Sequence, residues 1–231
     1  MKGWFVCGTD TGVGKTEVAR ALLLLLAEAG LRPKALKPVE TGCDPATPED
    51  ALALAAITGQ PLDEVCPYRF RLPAAPLVAA QGATIDLRLI ERLAAARPIV
   101  VEAAGGLLVP LLREVARDSL EADEPDRAPA TRLVTNLDLA ERLGLPVVLV
   151  GRAGLGTLNH CALSAQALAA RGLAIAAIVL NRVAAADDPT VATNAALVKE
   201  LTSARVLGPT PFVREAVDRP RALLPWLSVL L

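Results

Sequence analysis

Lys15 and Thr16, which follow a glycine where an apolar run gives way to a helical one, are the residues of this chain best suited to chemistry on phosphates. They close the stretch Gly8-Thr9-Asp10-Thr11-Gly12-Val13-Gly14-Lys15-Thr16. In a loop of this kind the backbone N–H groups point inward and the start of the following helix adds its dipole, so together they cradle an anion. The lysine then reaches the outer phosphates and the threonine hydroxyl becomes an oxygen ligand for Mg²⁺. The usual pattern has four residues between its two glycines. Gly8 and Gly14 have five between them, with Thr9 where the first glycine belongs. The alternative is a glycine turn that only joins strand to helix. Gly12, Val13, Gly14, Lys15, Thr16 and Glu17 form the candidate nucleotide-binding loop.

Three further charged residues fall at element ends, where side chains can converge. Lys37 closes a strand-like stretch opened by Pro33. Asp50 lies in Thr47-Pro48-Glu49-Asp50, a helix start with Thr47 as N-cap, Pro48 at the first position and acids in the first turn. Glu102 ends the apolar run Pro98 to Glu102 ahead of the small-residue turn Ala103-Ala104-Gly105-Gly106. Each has an ordinary reading beside the chemical one. Lys37 is a solvated surface lysine or a cation facing the loop, and Asp50 is a dipole-stabilising acid or a ligand. Glu102 is the least ordinary, because a carboxylate ending an apolar strand is costly unless paired or metal-bound.

These residues need a scaffold, and the periodicity supplies one. Lys2 to Gly8 reads as a buried strand, Lys15 to Ala29 as a helix closed by Gly30, and Pro33 to Lys37-Pro38 as a second strand, which makes one right-handed crossover unit. Pro146 to Gly151 and Ala174 to Leu180 are further buried strands, with a helix from Leu158 to Arg171 between them. Alternating strands and helices predict an α/β fold, a single-domain, doubly wound, mostly parallel sheet over residues 1–231 with its site at the strands' carboxyl ends. Arg113 to Thr135 breaks the scheme: it is charged, contains Pro125 and Pro129, and reads as a helix stub plus a mobile loop over the site, or as an inert insertion.

Composition narrows the function classes. The chain of 231 residues has 24 basic and 25 acidic residues, so bulk charge asks for neither nucleic acid nor an anionic membrane. Its apolar runs are too short to span a bilayer, and its N-terminus shows no signal-peptide pattern. Cys7, Cys43, Cys66 and Cys161 are scattered, with no C-x-x-C and one histidine, His160, so neither zinc nor a disulfide framework is expected. Reduced thiols fit a cytoplasmic protein.

The string Gly-Thr-Asp-Thr-x-Val-Gly-Lys-Thr at the end of the first strand resembles dethiobiotin synthetase. The resemblance continues in Lys37-Pro38-Val39-Glu40-Thr41-Gly42, Asp50-Ala51-Leu52-Ala53-Leu54 and Pro67-Tyr68-x-Phe70. Val101-Glu102-Ala103-Ala104-Gly105-Gly106, Gly154-Leu155-Gly156-Thr157-Leu158-Asn159-His160 and Leu180-Asn181-Arg182 extend it. The matches run in order from residue 3 to about residue 215. They imply a phosphate-loop (P-loop) NTPase fold and an enzyme that makes dethiobiotin from 7,8-diaminopelargonate (7,8-diaminononanoate), CO₂ and ATP with Mg²⁺.

Site roles follow from that resemblance. Lys15 and Lys37 are expected to be catalytic, stabilising the crowded anionic oxygens electrostatically. Thr16, Asp50 and Glu102 are the expected Mg²⁺ ligands, with phosphate oxygens and water completing an octahedron. Asp50, Glu102, Ala103, Ala104 and Gly105 also join the ATP site, and Asn181, Arg182, Thr210, Pro211, Phe212 and Glu215 its adenine end. Thr11, Lys37 and Thr41 are expected to hold the diamine or its carbamate, although Thr11 and Thr41 equally suit satisfying loop backbone. Gly156, Thr157 and Asn159 are expected to hold the substrate carboxylate from a neighbouring subunit, which implies a homodimer; His160 reads as structural.

Departures and rivals qualify this. Ala75-Pro76-Leu77 stands where many members carry Ser-Pro-His, and Ala103 replaces a glycine. An amidoligase of the cobyrinate-amidating type would need a glutaminase domain for which one histidine leaves no provision. A partitioning-type switch ATPase would carry a lysine where this chain has Asp10.

Overall fold

The computed structural model describes residues 3–115, 130–185 and 188–231. The first half runs β1 (Gly3–Gly8), α1 (Lys15–Glu28), β2 (Lys34–Leu36), β3 (Val39–Thr41), α2 (Glu49–Thr58), α3 (Leu62–Val65), β4 (Tyr68–Phe70), α4 (Pro76–Ala79), α5 (Leu87–Leu93) and β5 (Ile99–Gly106). Then follow β6 (Pro110–Val115), β7 (Thr131–Thr135), α6 (Asn136–Leu143), β8 (Val147–Arg152), α7 (Thr157–Ala170), β9 (Ile175–Asn181), α8 (Val191–Thr202), β10 (Val206–Leu207) and α9 (Arg219–Leu227). Six strands form a parallel sheet in the order β10-β9-β8-β1-β5-β2. The chain leaves β1 toward β2 and later crosses to β8 on the other side, so the carboxyl end of β1 lies at the switch point where such sheets bind ligands. The α/β, doubly wound parallel architecture is as expected.

Strand periodicity divides the core. Trp4 and Val6 of β1, Val100 of β5 and Val148 and Val150 of β8 face the layer of α1, α2 and α9, where Leu22, Leu23 and Leu26 are fully buried. Phe5, Cys7, Ile99, Val101 and Val147 face the opposite layer, with Ile90 of α5, Leu139 of α6 and Leu168 of α7. Both faces are covered, which is why these strands read as continuous apolar runs instead of alternating. Each fully buried leucine contributes about 1.5–3 kcal/mol. Helix α1 ends as its sequence indicates: the Gly30 N–H donates to Ala27 O and that of Leu31 to Leu26 O. Among the described residues no helix is long and apolar enough to cross a membrane.

Four local expectations are corrected. The second strand stops at Leu36; after Lys37 and Pro38 the chain starts β3, which pairs with β4 outside the main sheet. Helix α2 begins at Glu49 with Pro48, not Thr47, at the N-cap. The N–H of Thr47 is used in a turn onto Asp44 O, and the Glu40 carboxylate supplies the missing cap by accepting from the N–H groups of Asp50 (3.3 Å) and Ala51 (2.9 Å). The supposed turn 103–106 stays within β5, but as a bulge: Val6 pairs with Glu102 and Gly8 with Gly106, so β5 spends two more residues than β1 over the same span. Asn136 of α6 ties that bulge down, donating to Ala104 O and Gly106 O. Finally, residues 113–115 and 131–135 belong to the antiparallel ribbon β6–β7 and not to a helix stub; the rest of that stretch, 116–129, lies outside the described residues.

Candidate active site

A cavity of about 750 Å³ opens at the carboxyl end of β1. The phosphate loop forms its floor through Thr11, Gly12, Gly14, Lys15 and Thr16. Gly14 has φ +91°, and a Cβ there would lie 2.0 Å from Asn181 Nδ2, so both backbone and space demand glycine. Lys15 starts α1 nearly buried, with Nζ donating to Asp10 O at 3.1 Å. Burial pushes its pKa below the usual lysine value, opposed by the Glu102 carboxylate.

Beside the loop lies a charged centre. Lys37, 4% exposed, donates from Nζ to Asp50 Oδ2 and to Glu102 Oε1, both at 2.7 Å. Burial alone would lower its pKa, but Glu102 and Asp50 outweigh burial and hold it above the ordinary range. Thr16 Oγ1 donates to the same Glu102 oxygen at 2.8 Å. Burial raises the Asp50 carboxyl and Lys37 more than compensates, leaving it below its usual value. Each element positions one member: Thr16 rides on the first turn of α1, Lys37 follows β2, Asp50 rides on the Glu40-capped start of α2, and Glu102 is the last residue of β5 before the bulge.

The centre has room for a cation ligand. Glu102 is fully buried, yet its Oε2 finds no partner among the described residues. Among those residues no three His, Cys, Asp or Glu side chains gather as a ready metal cage. The donors present are two carboxylates and a hydroxyl next to a phosphate cradle, which suits a hard ion that completes its shell with phosphate oxygens and water. Cys7, under Lys15, is no nucleophile: burial pushes its thiol up to about 12.

The other expected residues divide. Glu17, Thr41, Ala104, Gly105, Asn181, Arg182, Pro211 and Phe212 line the cavity. Val13, Ala103 and Thr210 do not; all three are buried behind its wall. Glu215 is exposed and outside it. Gly156, Thr157 and Asn159 sit at the start of α7, away from the lining, with Thr157 Oγ1 turned onto Cys161 Sγ at 3.4 Å. Ala75 lines the wall and Leu77 does not.

Sequence reasoning passed over Glu40, Arg219 and Arg152. Glu40 lines the cavity while capping α2, and nothing local in sequence joins it to a helix nine residues on. Arg219 lines the cavity from the start of α9, its guanidinium donating to Val213 O and Arg214 O; Pro220 after it was the available helix-start signal. Arg152, the last residue of β8, pairs with Asp10 Oδ2 at 2.8 Å.

Comparison with known proteins agrees with the geometry. A family model described as an AAA domain matches residues 2–120 and 121–220. The chain is 47% identical, over 96% of both chains, to the ATP-dependent dethiobiotin synthetase BioD of Anaeromyxobacter dehalogenans strain 2CP-1. The chain belongs to the dethiobiotin synthetase family. More distant members so named are 40% identical in Ralstonia nicotianae, over 95% of this chain and 91% of the relative, and 35% identical in Bacillus thuringiensis, over 92% and 84%. Relatives of that name thus span nearly the whole chain, including both the phosphate loop and the segment after β9.

Proposed function

We propose that this chain is a cyclo-ligase that joins 7,8-diaminopelargonate and CO₂ at the expense of ATP, giving dethiobiotin, ADP and phosphate for biotin biosynthesis. The observation that carries the reading is the Lys37–Asp50–Glu102–Thr16 centre beside the phosphate loop, in a chain of that family.

The chemistry needs anions held together. One amine nitrogen bonds to the carbon of CO₂ and loses a proton, giving a carbamate. A carbamate oxygen then bonds to the γ-phosphorus as ADP leaves, giving a carbamic-phosphoric anhydride. The second amine attacks the carbonyl carbon and expels phosphate, closing the ring. Lys15 and the loop N–H groups hold the triphosphate, and Lys37 faces the carbamate oxygens as they meet the phosphoryl group. Mg²⁺ held by Thr16, Asp50 and Glu102 would neutralise phosphate charge. Thr11 and Thr41, which both line the cavity, would hold the diamine, and Arg182, Pro211 and Phe212 would enclose the base.

Residues 1–231 act in this reading as one ATP-binding catalytic domain. Because Gly156, Thr157 and Asn159 stand outside their own cavity, holding the substrate carboxylate there calls for a second copy, hence a homodimer. A cytoplasmic setting, where thiols stay reduced, suits the four free cysteines.

The test is turnover. Protein incubated with the diamine, bicarbonate, Mg²⁺ and ATP should yield dethiobiotin by mass spectrometry, one per ADP, and Glu102→Gln should shift the Mg²⁺ requirement upward. ATP hydrolysis that ignores the diamine, or that responds to DNA, overturns the reading.

A further inference from the structure

Between β10 and α9 runs a segment without helix or strand, and its Pro211, Phe212 and Val213 line the cavity. Its start is tied to the sheet, where the Thr210 N–H donates to Leu180 O at 2.9 Å. Beyond Thr210 that support ends. Among the described residues the backbone of 211–214 takes part in two hydrogen bonds, and both come from one side chain. Arg219 Nε donates to Val213 O at 2.9 Å and Nη2 to Arg214 O at 2.8 Å. A planar guanidinium can fork two neighbouring carbonyls at once, whereas an ammonium is a point charge on a flexible stem.

Arg219 is the first residue of α9, whose Pro220, Leu223 and Leu227 are buried. That helix packs against α1, with Leu223 and Leu227 in the same core cluster as Leu22 and Leu26. Helix α1 in turn begins at Lys15 of the phosphate loop. Charge links the two helix starts as well. Burial raises the Glu17 carboxyl, and Arg20, paired with it at 3.0 Å, and Arg219 oppose that rise. The 211–214 wall and the phosphate floor are thus registered to each other through one helix pair, and Arg219 joins that pair to the wall.

We propose that Arg219 is a positioning residue for the nucleoside half of the ligand. By forking Val213 O and Arg214 O it sets where Pro211 and the aromatic face of Phe212 stand relative to the phosphate loop. It thereby governs the affinity that base and ribose add to the triphosphate. The proposal rests on the cavity being the ATP site.

Calorimetric titration with Mg·ATP and with Mg·tripolyphosphate separates the two halves of the ligand. Arg219→Lys keeps the charge and loses the fork. It should weaken ATP about tenfold, the worth of one hydrogen bond from a charged group, and leave tripolyphosphate unchanged. Arg219→Ala should weaken ATP at least as much. Thermal unfolding establishes that each variant is folded; should the alanine variant not fold, the lysine variant decides alone. Equal losses for both ligands in the lysine variant mean that Arg219 serves the phosphates or the fold as a whole, and overturn the proposal. ATP binding left intact overturns it too, and a lowered unfolding temperature beside unchanged affinities would mark the fork as merely structural. A wild type that binds neither ligand overturns the ATP-site reading itself, and the proposal falls with it.

Discussion

At the scale of single residues, Lys37 carries the most. It is the only cation touching either Asp50 or Glu102 among the ion pairs of the described residues, so its removal leaves two carboxylates facing each other. Lys37→Gln should therefore abolish turnover and also destabilise the fold by about 3 kcal/mol, the low end for a broken buried pair because Asp50 is open on one side. Chemical denaturation checks this, and millimolar Mg²⁺ should restore part of the loss. The same centre sets a pH dependence. Because the Asp50 carboxyl is held below its ordinary 3.8, its stabilising share is full above that value and is lost as pH falls through the depressed one. Below pH about 4 the wild type should lose stability faster than Asp50→Asn, so that their denaturation midpoints converge. From sequence alone Lys37 and Asp50 each kept a bland reading, since neither composition nor spacing says which surface a strand-end lysine meets. Glu102 was legible on its own, because an acid ending an apolar strand demands a partner.

At the scale of elements, the decisive contact is Glu40 on α2. The helix starts with proline at its N-cap and has no side-chain cap of its own, so its first turn and Asp50 depend on a carboxylate from β3. Glu40→Ala should cost about 1 kcal/mol, the usual value of a lost cap, and lower kcat by misplacing Asp50. Glu40→Gln retains an acceptor oxygen and should recover most of both, read by thermal unfolding and steady-state kinetics. This cap shows where sequence reading stopped. The buried strands β1, β5, β8 and β9 and helices α1 and α7 were legible because both faces of the sheet are covered and their apolar runs are unbroken. The three-residue strands β3 and β4 were not, because so short a run shows no sustained alternation, and the β6–β7 ribbon was hidden by the charges and prolines of Arg113 to Thr135. The bulge of β5 read as a turn because its small residues signal a bend, and only pairing with β1 reveals that the ladder resumes at Gly106.

At the scale of the whole molecule, burial sorts the thiols. Cys7, Cys66 and Cys161 are fully enclosed, while Cys43 is half-buried in the strand-end segment that follows Thr41 of the cavity wall. A maleimide should modify the native protein once, at Cys43, and slowly, since partial burial and Glu40 raise that thiol. In denaturant it should react four times, for the four cysteines, as intact-mass measurement would count. The fold has thereby left one natural attachment point for a fluorophore, beside the acid that caps α2. Ligand entry could be followed in real time by emission from the unmutated chain, without engineering a reporter into it.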